Sequence, residues 1–491
     1  MSLSERQPLI DRSELHPEVG IQIVSKSDPS VTKEFTYLVK KAIPLILGFI
    51  LESSVGLTSA AIVGRKGPLE LAIVGQGFLI QSVTTNLIVI AATSTQMTLS
   101  SPLYTSPTHA KTDVGVVLQR TIVLANLGCL PIFVVWWFIE PIMLALGQPP
   151  SLAHGLKGYL RLMMFSQPGY ALMEACKNFL QVQGMMSPST YIIIFLLPIH
   201  ILLASLLTFK TSLGIYGTGL SVGITYWLFG GCLVAWIKWS KNSRGEGPGE
   251  CWGGWGWSAF EGWAGFTKIW APAIMTYSTE WWAYEIVALL AGRLGETAVT
   301  AQAGLSALDG ALCMIPYAIG LACTARLGNL MGVGESSISE IRSLVKATVF
   351  AETATMALTG LILFLVRGRL GYAFTHDKDT VSLIKQVVLP MATYQISDGL
   401  QNVGASVLRA TGRQSIAAVL HVGAYYVIGL PFGYFLAFHQ NLGLVGLWWG
   451  QVAALSLVAF TELLICRLGT NWKVEVQKAE ERGEDFSTST S

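Results

Sequence analysis

From residue 42 onward the chain alternates long apolar runs with short polar breaks. Each run is close to the twenty residues that a ~30 Å hydrocarbon core requires of a helix. Twelve can be counted, at about 42–63, 71–93, 116–139, 156–180, 189–209, 214–238, 268–291, 304–325, 345–366, 384–408, 416–438 and 443–466. An even number returns the chain to the side from which it started. Lys40 and Lys41 ahead of the first run, with Arg467 and Lys473 after the last, place both ends in the cytosol by the bias of basic residues toward that side. The polar flanks divide the chain into a cytosolic tail (1–39), a six-helix bundle (40–240), a linker (241–267), a second six-helix bundle (268–468) and a second cytosolic tail (469–491). The last tail ends in charged and Ser/Thr residues, a composition that predicts disorder. The linker opens on Lys241-Asn242-Ser243-Arg244-Gly245 and continues with Trp252, Trp255, Trp257 and Trp263. That pattern predicts a helix lying in the cytosolic interface, its indoles at headgroup depth.

The two bundles repeat one another. Pro44 and Pro272 lie 228 residues apart, as do Gly64-Arg65-Lys66-Gly67 and Gly292-Arg293-Leu294-Gly295, and Gln183-Gly184 and Thr411-Gly412. Leu213-Gly214-Ile215 matches Leu442-Gly443-Leu444 at 229. A constant shift across four landmarks predicts an all-α polytopic membrane protein of twelve transmembrane helices in two six-helix repeats. Because six is even, both repeats start from the same side and are related by an axis along the membrane normal. Two such bundles meeting face to face leave a central cleft that rocking can open to either side.

Within these runs lie acids that hydrocarbon does not tolerate cheaply, roughly 2.5 kcal/mol or more for each charge. Glu280-Trp281-Trp282-Ala283-Tyr284-Glu285 carries two, and Asp309 and Asp398 follow. The first half contributes Glu52 and Glu174, and the repeat lays Glu52 on Glu280. Glu280 and Glu285 are about 140° apart on an ideal helix, so they share one narrow stripe only if the helix bends, and Pro272 supplies a bend source. A carboxyl short of water favours its neutral form, and a nearby cation reverses that preference. A proton and an organic cation thus compete for the same oxygens, and competition with alternating exposure gives exchange without ATP. Trp281, Trp282 and Tyr284 can add cation–π attraction, about 0.5–2 kcal/mol each. Glu352 reads as a packed polar contact, Glu462 as a snorkelling acid near a helix end, and His200 and His421 as hydrogen-bonded core histidines.

Composition narrows the class further. Of 491 residues 52% are hydrophobic and 13% charged, half the charge of a soluble domain. A formal net charge of +2 makes no case for a nucleic-acid partner. The seven cysteines form no C-x-x-C pair and read as small core residues, not metal ligands. No P-loop, H-E-x-x-H or G-x-S-x-G motif occurs, and the chain reads as no enzyme. In the first tail, Glu5-Arg6-Gln7-Pro8-Leu9-Ile10 has the form of an acidic dileucine sorting signal, with Glu5, Leu9 and Ile10 as its readable residues. It points to a clathrin adaptor as partner and to a vacuolar or lysosomal membrane, the plasma membrane being the alternative.

The Glu-Trp-Trp-Ala-Tyr-Glu run, the Gly-x-Leu-Gly after it and Ala301-Gln302 resemble the seventh and eighth helices of eukaryotic multidrug and toxic compound extrusion (MATE) transporters. Ala325-Arg326-Leu327-Gly328-Asn329, Leu408-Arg409-Ala410-Thr411-Gly412, Tyr425-Tyr426-Val427-Ile428-Gly429-Leu430-Pro431 and Leu146-Gly147-Gln148-Pro149-Pro150 extend the likeness over roughly 40–468. The resemblance implies two six-helix bundles around a central cleft and cation-coupled export of organic compounds by a monomer needing no cofactor beyond a proton or sodium gradient. It implies proton or cation coupling at Glu280, Glu285 and Asp398, with Asp309 as a further acid. Substrate is then expected against Trp281, Trp282, Tyr284, Glu52, Glu174, Gln302 and Tyr394. The family's eighth-helix acid falls at Ala307, so Asp309 is expected to point elsewhere; an acid that bacterial members carry falls at Ser59; and Ser94-Thr95-Gln96-Met97 departs from the family pattern. A proton-driven exporter of small organic cations is the leading expectation. A sodium-coupled exporter and a lipid or glycolipid flippase are the alternatives, and a non-transporting receptor or scaffold is the third.

Overall fold

A computed structural model describes residues 30–241 and 245–488 of the chain, with side chains to 484. All twelve expected helices are present, all but the sixth longer than their apolar runs because polar turns extend them beyond the hydrocarbon. The first half holds α1 (Val31–Gly64), α2 (Pro68–Thr105), α3 (Asp113–Trp137), α4 (Pro150–Val182), α5 (Ser187–Phe209) and α6 (Tyr216–Trp239). The second holds α7 (Trp263–Gly292), α8 (Glu296–Val333, interrupted at Cys313), α9 (Ile338–Leu370), α10 (Lys378–Ala410), α11 (Gln414–His439) and α12 (Gly443–Leu468). Among the described residues, nine of these are apolar enough to be read as membrane spans by composition alone. The other three, α4, α7 and α10, are 33, 30 and 33 residues long but too polar. They are the helices that carry Glu174, Glu280 and Asp398, so their polarity belongs to the cleft and not to lipid.

Each half repeats one packing scheme. The fourth helix lies along the sixth, and the first along the fifth, so α4–α6 and α1–α5 are mirrored by α10–α12 and α7–α11. Across the interface, α1 packs on α8, α7 on α2, and α2 on α8, as a twofold axis along the bundle demands. The crossing of α2 and α8 is a backbone contact: a Cβ on Gly328 would lie 2.4 Å from Ser101, and one on Gly332 would lie 2.1 Å from the Pro102 carbonyl oxygen. Arg326 of α8 donates to both carboxylate oxygens of Glu34 in α1, at 3.3 and 3.0 Å. These contacts gather at the end of the bundle where both termini lie. There the halves are shut, and toward the other end they part.

Three boundaries differ from expectation. The first tail is shorter than 1–39, since α1 begins at Val31 and buries Glu34 and Leu38 against the second half. Glu5, Leu9 and Ile10 lie outside the described residues. The linker is not an interfacial helix but an extended strap with two 3-10 turns, Pro248–Cys251 and Trp257–Phe260. Its glycines favour extended backbone over helix, and α3 holds the strap through the Gln119 amide on the Gly254 carbonyl and Arg120 Nε on the Ser258 carbonyl. Trp263 opens α7, after Gly262 in the left-handed region at φ 64°. The final tail is helical, forming α13 (Trp472–Thr488) beneath α2 and α8. Its apolar stripe, which includes Val476 and Ala479, is buried there, offsetting the ordering entropy that composition alone left unmet.

Candidate functional site

The parted ends of the halves enclose a cleft of about 730 Å³, reached by residues of α1, α2, α4, α5, α6, α7, α8, α10 and α11. Its second-half wall carries acids with no lysine or arginine bonded to them. Glu280 of α7, Asp309 of α8 and Asp398 of α10 all face it, among Tyr284, Tyr394 and Gln302. Each acid is held differently. Asp309 accepts the Tyr394 hydroxyl. Asp398 accepts from Asn402 Nδ2 at 3.3 Å through one oxygen, and its other oxygen is buried with no partner among the described residues. Glu280 faces His421 of α11, with Oε2 3.8 Å from Nδ1, and the far ring nitrogen of His421 is 3.5 Å from Glu462 Oε1. Glu280, His421 and Glu462 thus form a titratable file from the cleft into the core. Gln302 is fixed by the Trp448 indole, which donates to its Oε1 at 2.9 Å, and by its own bond to Ser306 at 2.9 Å.

The first-half wall is paired. Lys177 of α4 donates to Glu52 Oε2 at 2.7 Å and Glu174 Oε1 at 2.9 Å, so two carboxylates share one ammonium. The expectation for Glu52 and Glu174 as cleft residues meets the structure, with both lining the space, but each already has its cation. Ser59, where the resemblance implies an acid in bacterial members, belongs to a buried hydrogen-bonded chain: its Oγ is 3.1 Å from His200 Nε2, and His200 Nδ1 is 2.9 Å from Thr225 Oγ1. The Ser94–Met97 region has a task at the closed end. Gln96 donates to the Ala175 carbonyl, Thr98 to the Arg409 carbonyl, and Gln414 to Ser94.

Several expectations need correction. Trp282 does not line the cleft; its indole donates to the Val83 carbonyl of α2 at 2.9 Å and its ring is half exposed on the outer side. Trp281, Tyr284 and Glu285 do line it. Asp309 does not point elsewhere but into the cleft, toward Tyr394. His421 is not a hydrogen-bonded core histidine: it reaches the cleft wall, and neither ring nitrogen has a hydrogen-bond partner among the described residues; nor does Glu462 snorkel, being fully buried. Gly404 of α10 makes room for it, since a Cβ there would meet the Glu462 side chain at 2.5 Å. Lys177 was not expected at the cleft, and Arg409 entered only as part of Leu408-Arg409-Ala410-Thr411-Gly412; the signal was a lysine three residues after Glu174 inside an apolar run, and an arginine at the edge of one, eleven after Asp398. Glu352 is fully buried, and neither of its carboxylate oxygens has a hydrogen-bond partner among the described residues. Among the described residues no three His, Cys, Asp or Glu side chains converge on a metal-sized site.

Comparison with known proteins gives this geometry a context. The family model described as MatE matches residues 44–206 and again 272–435, once in each half. An uncharacterized transporter of Schizosaccharomyces pombe is 33% identical over 92% of this chain and 82% of its own length. Multidrug and toxin extrusion protein 2 of Mus musculus is 29% identical over 94% of the chain and 78% of its own length. Protein DETOXIFICATION 16 of Arabidopsis thaliana is 28% identical over 91% of this chain and 90% of its own length. The crystal structure of the eukaryotic MATE transporter AtDTX14 superposes with a TM-score of 0.83 at 27% identity, covering 92% of this chain and 99% of that one.

Proposed function

The chain belongs to the MATE family of multidrug and toxin extrusion transporters, and from that premise we propose that it exports cationic, amphipathic organic compounds in exchange for protons. The observation that carries the reading is the placement of Glu280, Asp309 and Asp398 on one wall of a cleft closed at the end bearing both termini. With the termini in the cytosol, this is the outward-facing state. Protons arriving from outside neutralise the acids and release an organic cation held there. The halves then rock, the cleft opens to the cytosol, and a new cation displaces the protons. Rings of Tyr284, Trp281 and Tyr317 offer faces for the apolar body of the cargo. His421 and Glu462 extend the proton path behind Glu280.

The test uses the purified full-length protein in liposomes, with tetraethylammonium as the probe. Accumulation of the probe in the more acidic compartment, lost in Glu280→Gln and Asp398→Asn, is the expected result. Transport by both variants at the wild-type rate would sink the proposal. A sodium gradient that drives accumulation with no pH difference would move the coupling to sodium on the same oxygens. For location, the reading is a vacuolar or lysosomal membrane through Glu5, Leu9 and Ile10. A fluorescently tagged Leu9→Ala/Ile10→Ala variant that stays where the wild type goes removes it.

A further inference from the structure

One acid of the bundle takes no part in the cleft. Glu352 lies near the middle of α9, fully buried and off the cleft wall, and neither carboxylate oxygen has a hydrogen-bond partner among the described residues. Nor does any lysine, arginine or histidine among them stand within ion-pair distance of it. Buried polar groups are as a rule hydrogen-bonded, so a carboxyl left this bare needs a reason. In such surroundings a carboxylate is the costly species and the neutral acid the cheap one. Even the acid carries one O–H that calls for an acceptor.

The seam between α9 and α10 says where that acceptor lies. The two helices meet at their backbones: a Cβ on Gly399 would lie 3.1 Å from the Glu352 carbonyl oxygen, and one on Gly360 would lie 2.6 Å from that of Ala392. Gly399 directly follows Asp398, and the two acids stand at one depth, roughly 21 Å from the start of α9 and roughly 18 Å from the end of α10. Asp398 is the charge that acts on Glu352, and its Oδ2 is itself buried and unpartnered. Gln395, one turn before Asp398 and beside Gly360, is 1% exposed with both amide atoms unpartnered among the described residues. The other helices packed on α9 offer no rival. From α8 comes Cys323, whose sulfur already accepts Thr348 Oγ1 at 3.2 Å, and from α1 come Ala42 and Ile46, packed at Ala351. Arg409 and Glu34 are the next charges out, acting on Cys323 and not on Glu352, while Glu280 and Asp309 act on Asp398 from the cleft.

We propose that Glu352 is the protonated partner of Asp398: when the cleft acid gives up its proton to make room for a cation, the Glu352 O–H donates to Asp398 Oδ2 across the α9–α10 seam. The inference rests on the export reading above and adds the residue that lets Asp398 ionise in a site poor in water. In this step the Asp398 O–H bond breaks, its proton leaves to the cleft and the electron pair stays on the carboxylate; the Glu352 O–H bond does not break. A hydrogen bond to a charged acceptor is of the strong kind, so it favours the ionised Asp398 that holds cargo. Ionising the second acid would set two like charges against each other, so the pair gives up one proton and keeps the other. Glu352 touches no cargo. It is a positioning residue that acts through Asp398.

The experiment follows binding of tetraethylammonium to the full-length protein in detergent at pH 6 and pH 9, with infrared difference spectra of the same samples. Glu352→Met, which has no donor, is expected to weaken binding about tenfold at pH 6, where ionising Asp398 is the hard step, and to stay within about twofold at pH 9. Glu352→Gln, whose amide donates in place of the acid, should recover most of the loss. In an Asp398→Asn background the Met substitution should add no further change, since its effect runs through that carboxylate. The infrared spectrum of the wild type should carry a carboxylic-acid carbonyl band that is absent in Glu352→Gln and shifts when the cation binds. Equal weakening at both pH values, an effect that persists beside Asp398→Asn, or a Glu352 band that is missing or does not move overturns the proposal. Should Glu352→Met fail to fold, the spectra of wild type and Glu352→Gln decide alone. Wild-type binding that ignores pH removes the export reading and this inference together, whereas pH-dependent binding with an unmoved band removes this inference only.

Discussion

Lys177 is the side chain whose removal tells most about the first-half wall. It is 2% exposed, and it alone stands between Glu52 and Glu174 and an uncompensated buried charge. Replacing it by Met is expected to destabilise the protein by about 3–5 kcal/mol, read as a lower melting temperature in detergent. A second substitution, Glu52→Gln, should return part of that loss by removing one of the stranded charges. The acids themselves were legible from the sequence, because a carboxylate in an apolar run stands out against its surroundings. Their partners were not. Lys177 sits one turn from Glu174, but nothing in the order of residues tells whether it reaches lipid headgroups or folds back on an acid of α1. Glu462 and His421 failed for a related reason, since each gains its meaning from the other across two helices and from a glycine, Gly404, that makes the slot. Trp282 was placed in the cleft by its neighbours in sequence, and helical rotation takes it out.

At the scale of elements, the α2–α8 crossing is the tightest joint between the halves. Its closeness depends on Gly328 and Gly332, where even a methyl group would collide with backbone or with Ser101. Gly332→Val is expected to hold the closed end ajar. The check is labelling at a cysteine introduced near Asn329: faster modification from the side of the termini, with transport reduced tenfold or more, is the predicted pair of results. The strap between the halves makes a different prediction. Burial pushes the Cys251 thiol up to about 11, so at pH 7–8 it stays protonated and is a poor nucleophile. Alkylation of Cys251 should therefore be slow until pH approaches that value, and should quicken if the Gln119 and Arg120 contacts that pin the strap are removed. Spans of helix followed from run length alone, but the strap did not. Tryptophan spacing suggested an interfacial helix, whereas the glycines at 245, 247, 249, 253, 254 and 256 keep the backbone out of one.

For the whole molecule, the proposed exchange of protons for cargo on one set of carboxylates ties affinity to pH: under that proposal, a fall in pH loads the acids of the second-half wall with protons and releases organic cations. The apparent affinity for tetraethylammonium is expected to weaken with acidification, and Asp398→Asn to flatten that slope; equilibrium binding across pH 5–8 measures both. The repeat was readable from four landmarks, and the twofold arrangement of α1, α2, α7 and α8 follows from it. Which end is shut did not follow, because both states are built from the same helices and differ only in which contacts are made. The C-terminal helix bears on that choice. Val476 and Ala479 of α13 pack in the core beside α2, and Arg482 donates to the Thr411 carbonyl at the end of α10. One short amphipathic segment therefore works as a hasp across the seam, fastened to both leaves. Under the proposed rocking, parting the leaves on that side means lifting this fastening first, which places part of the wait for the next passenger in a stretch of chain outside the cleft.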